Sequence, residues 1–464
     1  MQLKTSIIPI RPTFAKVNAN HELHLEAICV FAAIGFFLDQ DTYWKDRTVL
    51  RAATQNTLDA NGILIDSKPW FKWHYTPREI SFKQTLDEFT NLFETIIEEQ
   101  TKNKTVILPL SGGLDSRTQA AALKHLNAKV NAYSYEFQNG YPETKIARQI
   151  ARACNFNFSP YTINKGYLWN VIDELAELNQ CYSDFTSPRQ MAAYDEFKDM
   201  GDVFSLGHWG DVLFDDMNVD DDLSFEEQVQ IVIKKLLKKG GLELAEALWE
   251  SWELNGSFID YFYERIHQLL KKIVIPNSAN AQIRAFKSLY WAPRWTSVNL
   301  AIFKSQRPIS LPYYEDRMCQ FICTVPEAYL KNRQLQIAYI KKRAPALAKI
   351  TWQDQRPYNL NNFHLNRLPY NLPYKINNKL VRILKKTIGG ASYIQRNWEL
   401  QFLGGDNSKL LHDNLLNSGS DVIIPKNLIE TYFNRFTNKN ALQNAHAINM
   451  LLVLAKFKET QNHG

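Results

Sequence analysis

The sequence has 464 residues, of which 45% are hydrophobic and 22% charged, an ordinary composition for a globular protein of two or three domains. Its formal net charge of +6 permits an anionic ligand such as a nucleotide, but it is too modest for this length to indicate a nucleic-acid partner. The longest apolar run, residues 27–38, is too short to cross a bilayer and lacks the basic leader and cleavage site of a signal peptide. We therefore expect a cytoplasmic protein without a membrane partner.

Cysteine usage is typical of a reducing compartment. The five cysteines form no CxxC pair and no metal-ligand spacing, so we expect them to be small buried hydrophobic residues. Cys319 and Cys323 are four residues apart, a spacing that places both on one face of a helix.

The first hundred residues contain one strong helical pattern. Residues 1–80 indicate short mixed elements, whereas apolar residues recur at helical spacing through residues 80–100. Ser81 stands at the start of that pattern and is the expected N-cap.

Strands and helices then alternate. The predicted elements are strand 106–110, helix 116–126, strand 130–137, helix 143–154, a helix near 167–178 and strand 202–206. Alternation with short connections predicts an α/β fold, in which a parallel sheet carries helices on its faces. Ligands bind such sheets outside the carboxyl ends of the strands, which is where residues 111–116 fall.

From about residue 220 the pattern is mostly helical to the C-terminus. Residues 375–390 carry a run of basic side chains, namely Lys375, Lys379, Arg382, Lys385 and Lys386. The run is interpreted either as the solvated face of a helix or as a basic groove for an acidic substrate.

The segment SGGLDS carries the strongest functional signal. Its glycines permit a tight turn without a Cβ, and the N–H groups of such a turn and of the following helix start form a cradle for an anion. Asp115 repels a bare phosphate but suits a Mg²⁺ ion that bridges it to phosphates. The predicted nucleotide-binding residues are Ser111, Gly112, Gly113, Leu114, Asp115 and Ser116. The segment has neither the GK[ST] ending of a Walker loop nor the dinucleotide spacing of glycines.

In its strand–turn–helix context, LSGGLDS resembles the pyrophosphate loop of the N-type ATP pyrophosphatases, more closely that of the synthetase domain of asparagine synthetase B-like enzymes. The resemblance extends roughly from residue 35 to the C-terminus. It implies an adenine nucleotide α-hydrolase-like, Rossmann-like domain. It also implies a reaction in which ATP converts a carboxylate into an acyl-adenylate, pyrophosphate leaves and an amine attacks to give an amide.

A second segment, SLGHWGDVLFDD, is similar to the phosphate-side loop of that family, with the pattern S-G-[DE]-G-x-D-E-x-F-x-G. The match makes Gly207 a nucleotide-binding residue and Asp211 the second Mg²⁺ ligand beside Asp115. The segment departs from the family at His208, which replaces an acidic residue, and at Val212, which replaces a glutamate. His208 is interpreted as a base for the incoming amine, as a donor to the departing pyrophosphate, or as a loop histidine without a chemical role.

Towards the C-terminus the resemblance is carried by LPYYEDRM, similar to a P-F-L-D segment, and by RQLQIAYIKKRAP, similar to a K-x-x-L-R helix. The family's pyrophosphate-binding lysine falls near residues 355 and 356, and Arg356 is predicted for that role because the role needs positive charge. The departures from the family pattern put aspartate in doubt as the substrate, and with it asparagine biosynthesis as the pathway.

The front of the chain differs from glutamine-dependent members of the family. Those members expose a catalytic cysteine as residue 2, where this chain has Gln2. Without that nucleophile no thioester forms on glutamine. Residues 1–78 are therefore predicted to be a degenerate remnant of a glutaminase-like domain, a truncated α+β region. Residues 79–464 are predicted to form the synthetase-like domain, with a nucleotide core at about 104–220 and a helical part at 221–464.

The function expected from these features is that of an ATP- and Mg²⁺-dependent, AMP-forming amide-bond synthetase or amidotransferase without its own glutaminase. Its expected partners are a small-molecule or peptide carboxylate and an amine, which is free ammonia, ammonia from a separate glutaminase, or an amine of the substrate itself. Two alternatives stay open, namely an adenylating enzyme with a sulfur nucleophile and a non-catalytic nucleotide-binding protein.

Overall fold

The computed structural model describes residues 1–18, 21–138, 140, 142–185, 188–387, 398–416 and 424–462. The strands of this part of the chain are β1 Gln2–Lys4, β2 Phe14–Lys16, β3 Arg47–Val49, β4 Thr54–Leu58, β5 Leu64–Pro69, β6 Val106–Pro109, β7 Val130–Phe137, β8 Asn157–Ile163, β9 Val203–Ser205 and β10 Ile309–Ser310.

The helices divide into those before and those after a π-helical segment at Lys287–Thr296. The first group is α1 Leu25–Ile34, α2 Phe82–Thr101, α3 Asp115–His125, α4 Thr144–Cys154, α5 Ile172–Asn179, α6 Pro188–Met191, α7 Phe197–Met200, α8 Gly210–Leu213, α9 Phe225–Leu236, α10 Gly241–Ser251, α11 Phe258–Lys271 and α12 Ala279–Phe286. The second group is α13 Ser297–Asn299, α14 Ala301–Lys304, α15 Asp316–Ile322, α16 Glu327–Leu330, α17 Gln334–Arg343, α18 Pro345–Ala348, α19 Leu372–Thr387, α20 Gly405–Leu416, α21 Lys426–Asn438 and α22 Ala441–Asn462. Short 3₁₀ turns lie at Tyr167–Asn170, Lys331–Arg333, Gln353–Gln355, Phe363–Leu365 and Trp398–Phe402.

The central sheet has five parallel strands in the order β10-β9-β6-β7-β8. Val106 of β6 pairs with Val130 of β7 on one side and with Val203 of β9 on the other. The apolar residues of β6 are buried because the sheet is covered on both faces, as parallel sheets are. The predicted α/β fold with a parallel sheet is confirmed, and so is the mostly helical character of the chain after residue 220.

The strand order reverses beside β6. The chain moves from β6 to β7 and β8 on one side of the sheet, and then returns to add β9 and β10 on the other. The loops that follow β6 and β9 therefore leave the same edge of the sheet from neighbouring strands. In open α/β sheets this crevice is where ligands bind.

Helix α2 shows how a local sequence signal becomes structure. Ser81 is its N-cap, and a capping box joins it to Gln84, since the Gln84 backbone N donates to Ser81 Oγ at 3.2 Å while the Ser81 backbone N donates to Gln84 Oε1 at 3.2 Å. The apolar face buries Phe89, Phe93 and Ile97 against the sheet and the C-terminal helices. The predicted helix and its cap are confirmed.

The front region, residues 1–78, contains a three-stranded antiparallel sheet, β1-β4-β5, a two-stranded pair, β2-β3, and helix α1. Residues 27–34 of α1 are fully buried, so this helix is apolar on every face and lies inside the protein. It packs against α10, and His446 of α22 contacts the carbonyl of Ala32 at 2.9 Å. Within the described residues, no helix has both the length and the apolar character of a membrane span.

The front region shares one continuous hydrophobic core with the central sheet and α22. Backbone hydrogen bonds join Thr76 to Cys323 at 3.0 Å and Arg78 to Thr324 at 3.1 Å. The Ile7 backbone N donates to the Asp316 carboxylate at 2.8 Å. The division of the chain at residue 78, and the origin of the front region in a glutaminase, stay predictions.

The cysteines and the basic run agree with the simpler interpretations of the sequence. All five cysteines are buried, and Cys323 donates to the carbonyl of Cys319 one helical turn earlier, at 3.3 Å. Lys375 and Lys379 of α19 are exposed, as on a solvated helix face. The side chains of the rest of the run, from Arg382, lie outside the described residues.

Arg117 joins the central sheet to the distant C-terminal part of the chain. Its side chain is fully buried on α3, and its guanidinium donates to four backbone carbonyls: Gly112 at 3.0 Å, Leu347 at 3.3 Å, Ile350 at 2.9 Å and Thr351 at 2.8 Å. Burial lowers the pKa of Arg117 to about 10, which still leaves it charged at neutral pH. The planar set of donors in arginine suits this task, since a lysine presents fewer donors in no fixed plane.

Replacing Arg117 should destabilise the fold strongly. Arg117→Met keeps much of the apolar stem but leaves the four carbonyls without their donors, and we expect a loss of about 3–5 kcal/mol in the free energy of unfolding. Urea denaturation measures this loss. Arg152→Met, on the exposed face of α4, is the matched control and should stay within about 0.5 kcal/mol of wild type. A similar stability for both variants would show that the buried guanidinium does not hold the C-terminal segment.

Candidate active site

Serine hydroxyls within the loop between β6 and α3 accept hydrogen bonds from the backbone of the same loop. The Ser111 backbone N donates to Ser116 Oγ at 3.1 Å, and the Gly113 backbone N donates to Ser111 Oγ at 3.2 Å. Helix α3 begins at Asp115, one residue earlier than predicted. Asp115 therefore lies in the first turn of the helix, where N–H groups have no partner within the helix and face the loop.

Two of the predicted nucleotide-binding residues have structural roles instead of facing the cavity. Gly112 is sequestered by Gln353, since its N–H donates to Gln353 Oε1 at 3.0 Å and its carbonyl accepts from the Gln353 backbone N at 3.1 Å. A Cβ on Gly112 would lie 2.5 Å from Gln353 Oε1, so the glycine admits this contact. Leu114 is 1% exposed and belongs to the core.

A cavity of about 540 Å³ opens at the crevice beside β6. The other predicted residues of the two loops line it together: Ser111, Gly113, Asp115, Ser116, Gly207, His208 and Asp211. The tertiary structure thus brings the two motifs, some ninety residues apart in the chain, to one site.

Asp115 is held in place through one of its two carboxylate oxygens. Arg333 pairs with Oδ1, and Gln336 donates to the same oxygen at 3.2 Å. Gln336 also donates to the hydroxyl of Tyr313 at 2.9 Å and accepts from Arg333 Nε at 2.8 Å. Among the described residues no hydrogen bond goes to Oδ2, and a quarter of the Asp115 side chain is exposed to the cavity. The carboxylate therefore keeps one oxygen for a ligand.

Burial raises the pKa of Asp115 to about 6. The positive charge of Arg333 opposes this shift, and the negative charge of Asp211 adds to it. Asp211 lies in the first turn of α8 with an exposed side chain, and it has no hydrogen-bond partner in the described part of the chain. The two carboxylates that meet at the cavity thus repel each other, and a cation between them would relieve this.

This donor set fits Mg²⁺. No group of three or more acidic, histidine or cysteine side chains that could cage a metal occurs among the described residues. Mg²⁺ does not need such a cage, because it is commonly bound by one or two carboxylates, water and substrate phosphates. Asp115 and Asp211 are the residues that would hold it.

The second loop fits against Asp115 only because it contains glycines. A Cβ on Gly207 would lie 2.9 Å from the Cβ of Asp115 and 3.2 Å from the backbone N of Ser116, and a Cβ on Gly210 would overlap the Asp115 carboxylate. Gly210 is not among the residues predicted from the sequence, and its lack of a side chain is what permits the second loop to approach Asp115. Trp209 adopts a left-handed backbone, φ +76°, at the position where the family pattern has a glycine.

His208 faces the cavity as a neutral imidazole. Burial lowers its pKa to about 4, although Asp211 opposes the shift. Its Nδ1 is buried without a hydrogen-bond partner among the described residues. The ring lies edge-on to Phe303, with centroids 6.0 Å apart. A neutral, unpaired ring nitrogen can accept or share a proton with a bound ligand.

Lys287 is a cavity residue that sequence reasoning missed. It opens the π-helical segment, and its Nζ lies 5.2 Å from the ring centre of Trp291 and 5.7 Å from that of Trp209. Burial lowers its pKa, and Asp211 opposes this shift. The only sequence signal was helical spacing, since Lys287, Trp291 and Trp295 recur every four residues.

Arg356 does not line the cavity. It follows the Gln353–Gln355 turn. Gln353 of this turn accepts a hydrogen bond from the Gly112 backbone N, and Thr351, two residues earlier, accepts one from Arg117 of α3. The residues that supply positive charge at the site are Arg333 and Lys287. Arg333 opens the RQLQIAYIKKRAP segment, in which the resemblance assigned it no role, and Lys287 comes from a segment without a matching pattern.

Substituting Gly207 tests the close packing of the two loops. Gly207→Ala forces the Asp115 Cβ and the Ser116 backbone apart, and we expect a fall of several degrees in Tm together with weaker ATP binding. Gly113→Ala is the control within the site, because its Cβ would meet only Ser111 Oγ, at 3.3 Å, and its Tm should stay close to that of wild type. Equal Tm values for the two variants would contradict the close approach.

One family model matches part of the chain. Residues 88–272 match the family model described as Asparagine synthase, which covers less than half of the chain but includes both loops. No curated protein matched the sequence.

Three solved structures are similar over parts of the chain. The NMN synthetase from Francisella tularensis is 14% identical, with a TM-score of 0.23, over 45% of this chain and 93% of that one. The NH3-dependent NAD synthetase from Campylobacter jejuni subsp. jejuni NCTC 11168 is 16% identical, with a TM-score of 0.22, over 41% and 94%. The glutamine-dependent NAD+ synthetase from Acinetobacter baumannii, in complex with adenosine diphosphate, is 14% identical, with a TM-score of 0.20, over 39% of each chain. The family match supports an ATP-using, ligase-type enzyme with an asparagine synthase-like synthetase region.

Proposed function

We propose that this protein is an ATP-dependent, AMP-forming amide-bond synthetase that adenylates a carboxylate substrate and transfers an amine or ammonia to it, without a glutaminase of its own. The observation that carries the proposal is the meeting of the Ser111–Ser116 loop with Asp211 across one cavity, at the point where the strand order reverses.

In the first step a carboxylate oxygen of the substrate attacks the α-phosphorus of ATP, and the bond to the β-phosphate breaks to release pyrophosphate. The protein has to align the two reactants and neutralise charge. The open amides at the start of α3 and the side chain of Ser111 would face the phosphates. A Mg²⁺ ion held by Asp115 and Asp211 supplies further charge neutralisation when bound. Lys287, beside Asp211, would stabilise the negative charge of the departing pyrophosphate.

In the second step the amine nitrogen attacks the acyl carbon, AMP leaves, and the nitrogen loses a proton. His208 lines the cavity as a neutral imidazole, whose ring can accept that proton. The source of the amine stays open between ammonia, a separate glutaminase and the substrate itself. No cysteine lines the cavity, and all five are buried, which favours an amine over a sulfur relay on the enzyme.

Asp211 provides the cleanest test of the metal site. Asp115→Ala would leave Arg333 as an unpaired buried cation, whereas Asp211 is exposed and lacks hydrogen bonds to the described residues, so Asp211→Asn should leave the fold intact. We expect ATP to be split to AMP and pyrophosphate by the wild type, and this rate to fall by roughly a hundred- to a thousand-fold in Asp211→Asn.

Chromatography of the nucleotide products and the carboxylate-dependent ATP–pyrophosphate exchange measure this effect. Asp220→Asn is the matched control, because Asp220 is an exposed aspartate that does not line the cavity. Formation of ADP by the wild type, or full exchange activity in Asp211→Asn, would refute the proposed reaction.

His208 should affect the second step alone. His208→Ala should lower amide formation at least about ten-fold and leave pyrophosphate exchange nearly unchanged, because only the amine needs the base. The lowered pKa of about 4 means that the neutral form is present above that pH and is lost below it. The amide-forming rate should therefore show no His208-dependent change between about pH 6 and 8. Equal loss of both steps in His208→Ala would instead indicate a role in loop structure.

A further inference from the structure

The two ends of the cavity differ in chemistry. One end is polar, where Ser134, Tyr135 and Gln190 line it, and Gln190 bonds the hydroxyls of Tyr133 at 2.8 Å and Tyr135 at 3.3 Å. The other end is lined by the aromatic wall, which we define as Trp209, Trp291, Trp295 and Phe303. The Ser111–Ser116 loop follows β6, which lies between β7, the strand of Ser134 and Tyr135, and β9, the strand that leads to Trp209. A nucleotide whose phosphates face the loop thus leaves one end for its base and the other for the second substrate.

The rings of the aromatic wall are held in fixed orientations by contacts outside the cavity. Trp295 Nε1 donates to the buried Asp184 carboxylate at 2.9 Å, and Trp209 Nε1 donates to Ser288 Oγ at 3.0 Å. Phe36, from the front region, stacks on Trp291 with ring centres 5.5 Å apart. The polar edges of Trp209 and Trp295 are thus satisfied elsewhere, whereas Trp291 Nε1 is buried without a hydrogen-bond partner among the described residues, and the wall offers the cavity mainly ring surface. A preorganised surface of this kind binds at low entropic cost.

The charges around the aromatic wall suit an anionic ligand. Lys287 lines the cavity at this end, between the rings of Trp209 and Trp291, and Lys238, which is not a lining residue, lies over Trp291 and Trp295. The carboxylates that line the cavity, within the described residues, are the candidate metal ligands and Glu143. A carboxylate placed beside the wall therefore has a cationic partner in Lys287.

We propose, on the basis of the function proposed above, that the carboxylate substrate carries a planar aromatic group close to its carboxylate, and that this group packs on Trp291 and Trp295. Its carboxylate then points past Lys287 towards the α-phosphate. The adenine base occupies the polar end, where hydrogen-bonding side chains can contact its edge. A small dicarboxylic amino acid such as aspartate leaves the aromatic wall unfilled and is a poor substrate.

The test compares three propanoates that differ in the terminal group, together with aspartate. ATP–pyrophosphate exchange is measured with 3-phenylpropanoate, 3-cyclohexylpropanoate, succinate and aspartate. We expect 3-phenylpropanoate to support exchange at least about ten-fold better than succinate, since an apolar pocket discriminates by this order. Trp291→Leu should abolish most of that preference without changing the KM for ATP, and Trp291→Phe should retain it. Trp70→Leu, which removes a half-buried tryptophan of the front region outside the cavity, should behave as wild type.

A binding measurement separates failure of this inference from failure of the proposed function. Calorimetric titration of the Mg²⁺ and α,β-methylene-ATP complex with 3-phenylpropanoate should show binding that Trp291→Leu loses. Such binding without exchange for any acid would support the aromatic site and refute the proposed reaction. Exchange that is equal or better with succinate or aspartate would refute the aromatic substrate alone. A raised KM for ATP in Trp291→Leu, with unchanged acid preference, would place adenine on the aromatic wall and refute the aromatic substrate. Absence of 3-phenylpropanoate binding would refute it as well.

Discussion

The buried guanidinium of Arg117 is the constraint on which the geometry of the site depends. It donates to the carbonyl of Gly112 in the Ser111–Ser116 loop and to three carbonyls at residues 347–351. Gln353 accepts a further hydrogen bond from the Gly112 backbone N. A loop of glycines and serines has no rigidity of its own, since glycine restricts the backbone least. The loop is therefore held from outside, by a segment more than two hundred residues later in the chain.

A second constraint is electrostatic. Asp115 and Asp211 meet at one cavity, and burial of Asp115 and the mutual repulsion of the two carboxylates raise the pKa of Asp115. Arg333 compensates by pairing with one oxygen of Asp115, and Lys287 lies near Asp211. This balance keeps two acidic groups close together, as the metal site proposed above requires.

The front region takes part in the same site as a support. Phe36 stacks behind Trp291, and the Asp184 backbone N donates to the carbonyl of Gly35 at 2.9 Å while its carboxylate orients Trp295. The C-terminal helix contributes Asn449, which accepts from the Phe185 backbone N at 3.2 Å. Residues from near both ends of the chain thus pack behind the aromatic wall.

Local patterns in the sequence were enough to predict several of the elements and the first motif. Helix α2 with its Ser81 cap, the parallel strands β6, β7 and β9, and the helical second half follow from periodicity and capping, which act over a few residues. The SGGLDS segment likewise predicted a strand–turn–helix, and the second motif predicted Asp211 beside Asp115.

Only the tertiary structure decided which residues face the ligand. Gly112 and Leu114 belong to the motif yet turn away from the cavity, because Gln353 and the hydrophobic core bind them from behind. Arg333 and Lys287 enter the site from segments about 220 and 170 residues after the loop, and Arg356, the residue chosen by alignment, lies outside the cavity. Charge and helical spacing show that such side chains exist, but their partners are set by packing between distant parts of the chain, for which a single sequence carries no periodic signal.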